Sequence, residues 1–234
     1  MTSTADSSTT SPTESPLLAG LTPVEAERVR SAARVQHKRS GEFFFLQGDP
    51  ADAVYSISSG RVRLSQVTAE GNQILLRVIG PGTVFGAIAL AKVDTFPVTA
   101  EAADDCAVLV WPKATLMSLI EQMPKLALNA LQLMAGHVVE FQDRFREMAT
   151  QRVERRLART LLRLASQTGR KTDEGILIDM ALTRQDLAEM TGTTLFTVSR
   201  ILSQWESQGL VRPGRELVVI RHPHGLVKIA EDLE

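Results

Sequence analysis

Arg200 is the side chain best placed to do chemistry. It sits in the run Leu195-Phe196-Thr197-Val198-Ser199-Arg200-Ile201-Leu202-Ser203-Gln204-Trp205. Val198, Ile201, Leu202 and Trp205 recur at helical spacing and claim one face of a helix. Leu195, Phe196, Ser199, Arg200 and Ser203 fall on the opposite face. A guanidinium held there can make paired hydrogen bonds to guanine O6 and N7, worth about 1–3 kcal/mol against a wrong base. Phe196 has no hydrogen bond to offer, but its ring can touch a thymine methyl. Upstream, Thr183, Arg184 and Gln185 open an earlier helix. Side chains and free backbone N–H groups at a helix start suit phosphate oxygens. Thr194 and Thr197, at the start of the later helix, complete the candidate contact set.

Two helices and a turn must position these groups. Thr183 with Asp186 three residues on forms a capping box, with Asp in place of the usual Glu. Leu187 and Met190 face inward, and Gly192 permits a sharp turn. Thr193 or Thr194 then caps the second helix. Leu210–Arg215 followed by Leu217–Ile220 reads as a β-hairpin wing. The pattern is that of a winged helix-turn-helix, whose second helix lays its N-terminal part in a major groove.

Catalytic chemistry finds no comparable support. There is no His-x-x-Glu-His zinc motif, no phosphate loop ending in Gly-Lys-Ser/Thr and no Gly-x-Ser-x-Gly elbow. Asp104-Asp105 and Asp173-Glu174 are adjacent pairs that suit solvated turns. A single cysteine, Cys106, makes no internal disulfide and excludes a thiolate metal or iron–sulfur site. No metal ligand set is expected.

The N-terminal half has a different texture. Residues 1–16 are rich in Ser, Thr and Pro and are expected to be a disordered tail. Thr22 caps a short helix that begins at Pro23. Glu42–Leu46, Ala53–Ser58, Val62–Gln66, Ile74–Ile79 and Ala107–Trp111 are short apolar runs separated by Gly-rich turns. They predict an antiparallel sandwich or barrel over residues 17–123. After Pro124, Leu131, Met134, Val138, Phe141, Phe145 and Met148 are spaced alternately by three and four. This heptad-like seam predicts a long helix over residues 124–150 that pairs with a second copy. A core-packing helix in a monomer can carry the same pattern. Arg152–Gln167 forms another helix, crowded with Arg152, Arg155, Arg156, Arg159 and Arg163 and ended by Gly169. Residues 151–234 then make the winged helix domain.

Composition agrees with a globular chain. The hydrophobic share is 44% and the charged share 23%, ordinary values that leave room for a full core. The net charge of −1 hides a split. Residues 1–150 carry −3 and residues 151–234 carry +2, which permits a nucleic acid partner for the second half without proving one. No apolar run approaches the roughly 18–20 residues of a membrane span, and the N-terminus lacks a secretory signal. A reducing cytoplasm is the expected compartment.

Over about residues 17–230 the chain resembles the CRP/FNR family of bacterial transcription regulators. The residues that carry this are LTRQDLAEMTGTTLFTVSRILSQWESQGLV from Leu182, and GEFFFLQGDPADAVYSISSGRVRLSQ over Gly41–Gln66. The first is similar to the family's helix-turn-helix and the second to the first strands of its cyclic-nucleotide-binding-like β-roll. The resemblance implies an α+β fold: an N-terminal antiparallel β-roll, jelly-roll-like, then a dimerisation helix and a winged helix. It also implies a homodimer that reads a twofold-symmetric double-stranded DNA operator and contacts RNA polymerase. Ser199-Arg200 matches the family's Ser-Arg pair, which implies that Arg200 reads the guanine of a TGA-type half-site core. The family usually has Glu three residues before that Ser and Arg before the Glu. Here Phe196 and Leu195 occupy those places, so the operator is expected to be a variant in its outer bases.

The effector is less legible. Family members that bind cyclic AMP carry Phe-Gly-Glu-Leu and, about ten residues on, an Arg. The corresponding segment is Phe85-Gly86-Ala87-Ile88-Ala89, followed by Asp94-Thr95-Phe96-Pro97-Val98-Thr99. Ala87 stands where the Glu should be, no arginine follows, and Asp94 would repel a phosphate. Phe141-Gln142 replaces the family's Thr-Ser pair toward the base. The expected effector pocket comprises Phe85, Gly86, Ala87, Ile88, Ala89, Thr95, Val98, Thr99, Phe141 and Gln142, and its ligand is expected not to be cyclic AMP. A haem-dependent gas or redox sensor is an alternative, with His37, His137, His222 and His224 as candidate ligands. Cys106 opens an apolar strand and reads as packing rather than a redox switch. A ligand-binding regulatory module with no DNA role is the alternative from another class.

Overall fold

The computed structural model describes residues 15–232 except 70, 72 and 92. Most of the expected tail, residues 1–14, lies outside the described residues. Its last two residues depart from the expectation. Ser15 is buried, its hydroxyl is 3.1 Å from that of Ser56, and Pro16 opens a short 3-10 turn, Pro16–Leu18. Leu17 and Leu18 are buried apolar groups that hold this turn. Asn129 fastens it further, its amide donating to Leu17 O and Ala19 O at 2.8 and 2.9 Å.

The first helix, α1 (Pro23–Ser31), starts as expected at Thr22 with Pro at its first turn, and Glu25, beyond that expectation, closes a capping box with Thr22. Eight strands follow: β1 (Arg34–Lys38), β2 (Phe43–Phe45), β3 (Ala53–Ser59), β4 (Val62–Val67), β5 (Gln73–Ile79), β6 (Val84–Phe85), β7 (Thr99–Ala102) and β8 (Cys106–Pro112). The five expected runs are present, each within one residue at either end. They form two antiparallel four-stranded sheets, ordered β1-β8-β3-β6 and β2-β7-β4-β5. The register places Tyr55 opposite Val110 and Val62 opposite Ile79. Buried side chains of both sheets fill the space between them. Trp111 is fully buried there, and its indole N–H donates to Val29 O at 2.7 Å, tying α1 to β8. The fold class is α+β with an antiparallel β-roll.

A short helix, α2 (Lys113–Gln122), leads to the long α3 (Pro124–Thr150). At 27 residues α3 spans about 40 Å. Leu126 and Ala130 pack on the roll, but further along Leu131, Val138, Phe141, Phe145 and Met148 are exposed, and Met134 is half-buried. Gln151 and Arg152 are both extended and break the helix before α4 (Val153–Thr168).

The C-terminal elements are α4, a hairpin of β9 (Gly169–Thr172) and β10 (Gly175–Ile178), α5 (Arg184–Thr191), α6 (Leu195–Ser207), β11 (Val211–Pro213), β12 (Val218–Ile220) and α7 (Pro223–Glu231). The wing is therefore the β11–β12 edge of a four-stranded sheet ordered β11-β12-β10-β9. Gly169 does end α4, but not in the left-handed conformation expected of such a glycine. Its φ is −70°, and a Cβ there would lie 2.1 Å from Ala165 O. Space, not backbone handedness, selects glycine at this point.

A second core joins α4, α5, α6, the wing and α7 through Leu157, Leu161, Leu187, Ile201, Trp205 and Leu226. Leu75 and Val78 of β5 are buried in it as well. β5 thus serves the roll with one face and the C-terminal domain with the other.

Candidate nucleic-acid interface

Local chemistry fixes the helix-turn-helix. Asp186 N donates to Thr183 Oγ1 at 3.0 Å, while Thr183 N and Thr183 Oγ1 both donate to Asp186 Oδ2 at 2.8 Å. The shorter Asp closes the box as well as Glu would. Gly192 ends α5 at φ +60°, a conformation that costs a side-chain-bearing residue energy. Of the two candidate caps for α6, Thr194 takes the role, accepting from Thr197 N at 3.2 Å. Val198, Ile201, Leu202 and Trp205 are buried as one face.

The opposite face is open. Phe196 is 83% exposed, Leu195, Arg200 and Ser203 are exposed, and Ser199 is half-buried. No described hydrogen bond or ion pair involves the Arg200 guanidinium, so its donors point at solvent. Arg184 is likewise exposed at the start of α5. Gln185 is exposed but its amide donates to Glu189 Oε1 at 2.9 Å.

Three expected contact groups are already occupied. The Thr183 hydroxyl belongs to the capping box, and the Thr194 and Thr197 hydroxyls lie 3.0 Å apart in the α6 cap. A hydroxyl that satisfies a helix end keeps only part of its hydrogen-bonding capacity for a phosphate or base. The basic character of α4 also has an internal use. Arg156 donates to Thr191 O at 2.9 Å, beside the turn. Arg159 pairs with Glu147 of α3 and Glu231 of α7, each at 3.1 Å. Arg155 reaches Asp232 at 3.3 Å. These arginines brace the domain rather than face outward.

Sequence reasoning missed the joint between roll and helix-turn-helix. Arg63 of β4 pairs with Asp186 at 2.5 Å, and Leu75 N donates to Glu189 Oε2 at 3.1 Å. Arg77 of β5 and Arg144 of α3 share Glu140 at 3.0 and 2.9 Å, and Arg144 also donates to Leu76 O. A cleft of about 240 Å³ lies at this joint, lined by Arg63, Ser65, Gln73, Leu75, Glu101, Asp186 and Glu189. The signal was in β5, where Ile74-Leu75-Leu76-Arg77-Val78-Ile79 is too apolar for a strand with one wet face.

The expected effector segment is tightly packed. Phe85 belongs to a ring cluster with Phe44, Phe45, Tyr55 and Phe96. Phe45 and Phe96 stack at 3.7 Å between centroids, Tyr55 and Phe85 at 4.9 Å. Burial raises the Tyr55 phenol above its usual range, with Asp52 adding to the effect. Ala87, Ala89 and Thr99 are buried, Ile88, Val98 and Gly86 are half-buried, and Thr95 is exposed. Phe141 is 68% exposed on α3, with Gln142 exposed beside it, and no described hydrogen bond or ring contact joins either to residues 85–99. A cleft of about 300 Å³ lies instead beside Arg34, Gln36, Asp52, Tyr55 and Val110. None of the ten expected pocket residues lines either cleft. As for the histidines, His37, His222 and His224 are exposed. His137 is half-buried, and burial together with the Arg77 charge lowers its pKa. Cys106 is buried and its pKa is pushed up to about 11, first by burial and then by Asp104.

A winged helix-turn-helix with an unengaged guanidinium on its outer face, carried behind a β-roll, defines a DNA-binding transcription regulator. The comparisons with known proteins agree. Residues 35–123 match the cyclic nucleotide-binding domain model, and residues 155–229 match the Crp-like helix-turn-helix domain model. The chain is 30% identical to the cyclic AMP receptor protein of Thermus thermophilus, over 92% of this chain and 97% of that one. A solved CRP/FNR family regulator from the same organism is 27% identical and superimposes with a TM-score of 0.73, covering 85% of this chain and 98% of the other. FixK2 of Bradyrhizobium japonicum is 26% identical with a TM-score of 0.71, covering 84% and 96%. The chain belongs to the CRP/FNR family of transcription regulators. Its relatives are regulators and not enzymes, and the reading as a module without a DNA role falls away. No described helix is long and apolar enough to cross a membrane.

Proposed function

We propose that the chain acts as a homodimer on a twofold-symmetric operator, with Arg200 reading a guanine of a TGA-type core in each half-site and with RNA polymerase as its protein partner. The carrying observation is the outer face of α6, where Arg200 stands exposed and unpaired one turn beyond the helix start. The dimer rests on the α3 seam. Five exposed apolar side chains per chain, at roughly 1.5–3 kcal/mol each on burial, can offset an association cost of about 4–15 kcal/mol. A small effector other than cyclic AMP controls the dimer in this reading. Ala87 and Asp94 leave a cyclic phosphate without a partner, and the ring cluster occupies the neighbouring space. Effector binding shifts the α3 seam and turns the DNA-binding domains about the extended Gln151–Arg152 link.

Retention of a labelled TTGAT/TGTGA-type palindrome over scrambled DNA, at fixed salt, tests the DNA reading. If neither this palindrome nor genomic upstream DNA is retained over scrambled DNA, with and without candidate effectors, the reading loses its basis. Structures with and without ligand test the hinge: recognition helices that keep their relative placement count against it.

A further inference from the structure

We propose that the first turn of α6 reads thymine by its C5-methyl group through Phe196, one to two base pairs from the guanine taken by Arg200. The proposal rests on the DNA-binding reading above and specifies its base preference. Phe196 is the most exposed large apolar side chain among the described residues, at 83%. Folding makes no use of its ring, because the buried face of α6 is formed by Val198, Ile201, Leu202 and Trp205. It also lies off the α3 seam, so dimerisation through that seam does not cover it.

The surroundings of Phe196 narrow what it can touch. Thr194 and Thr197 have their hydroxyls engaged with each other and with the helix cap. Leu195 is apolar and partly exposed. Leu195 and Phe196 on the first turn of α6 therefore offer no side-chain donor or acceptor, the Thr194–Thr197 pair is already partly engaged, and the wholly unengaged polar groups begin at Ser199 and Arg200. Most base edges in a major groove carry only hydrogen-bonding atoms, and covering one with a phenyl ring leaves a donor or acceptor unsatisfied. Thymine differs in presenting a methyl group. Four residues of helix advance about 6 Å. Base pairs rise about 3.4 Å. The ring and the guanidinium thus sample positions one to two pairs apart.

The test begins with selection of an operator from randomised palindromes by the full chain. Each thymine within two pairs of the guanine is then replaced by deoxyuridine, symmetrically in both half-sites. Losing one buried methyl should weaken binding about fourfold per half-site. One such position should show that loss with the wild-type chain and none with Phe196→Ala, while Phe196→Ala keeps its guanine preference and its melting temperature. Arg200→Ala should show the converse pattern. Uracil substitution without effect at every thymine tested overturns the proposal. So does equal sensitivity of wild type and Phe196→Ala, which would assign Phe196 to a protein contact. Failure to select any sequence over scrambled DNA removes the DNA-binding reading itself, and this proposal with it.

Discussion

The outer face of α6 and the segment from Phe85 to Thr99 both stood out in the sequence as contact surfaces, and the folded chain treats them in opposite ways. On α6 the contact side chains remain outside, and the Arg200 donors have no internal partner. In the 85–99 segment Phe85 and Phe96 turn inward and stack on Tyr55 and Phe45. The difference is one of internal demand. A polar or aromatic group that folding leaves without a partner is available for a ligand. One that already satisfies the core is available only if the core gives way.

The largest test of this contrast is Phe96→Ala. A side chain 2% exposed and stacked at 3.7 Å should cost about 3–5 kcal/mol of stability when removed, measured by denaturant unfolding. A cost below about 1 kcal/mol would mean that the segment is loosely held and open to a ligand. Arg200→Ala comes next. It should lower discrimination at one G·C pair per half-site by about 1–3 kcal/mol, roughly 5- to 150-fold, with no change in melting temperature. An unchanged base preference rejects Arg200 as the reading group. The smallest effect concerns Cys106, a buried group of the roll. With its pKa pushed up to about 11, roughly one molecule in a thousand carries the thiolate at pH 8. Native protein should resist iodoacetamide and react once unfolded, as read by mass. Rapid labelling of the folded chain would place Cys106 on the reactive side of the comparison.

Legibility followed the same line. Caps and periodicity are local, so the Thr183–Asp186 box, the Gly192 turn and the buried face of α6 could be read directly. The five strongest strand runs could be read for the same reason. Strands β1, β6 and β7 could not. They are short or made of small and polar residues, and only their neighbours make them strands. The β9–β10 hairpin begins with Gly169-Arg170-Lys171-Thr172, which has no alternation to betray it. Charge was the least reliable guide. The run of arginines along α4 gives no sign of where each one points, and Arg156 and Arg159 brace the turn, α3 and α7. A residue type announces what it can bind, but its partner is decided by distances that the chain alone does not display.

Leu75 and Val78 have a consequence beyond the joint they form. They belong to β5 of the roll yet complete the apolar interior of the C-terminal domain. A chain cut at Gln151 would leave that interior with a missing wall, and the roll with two leucine-class groups in water. The two halves are therefore expected to melt together, as a single calorimetric transition. Any turn of the DNA-reading helices about the Gln151–Arg152 link must then peel part of this shared oil phase apart, so the roll sets part of the cost of that motion.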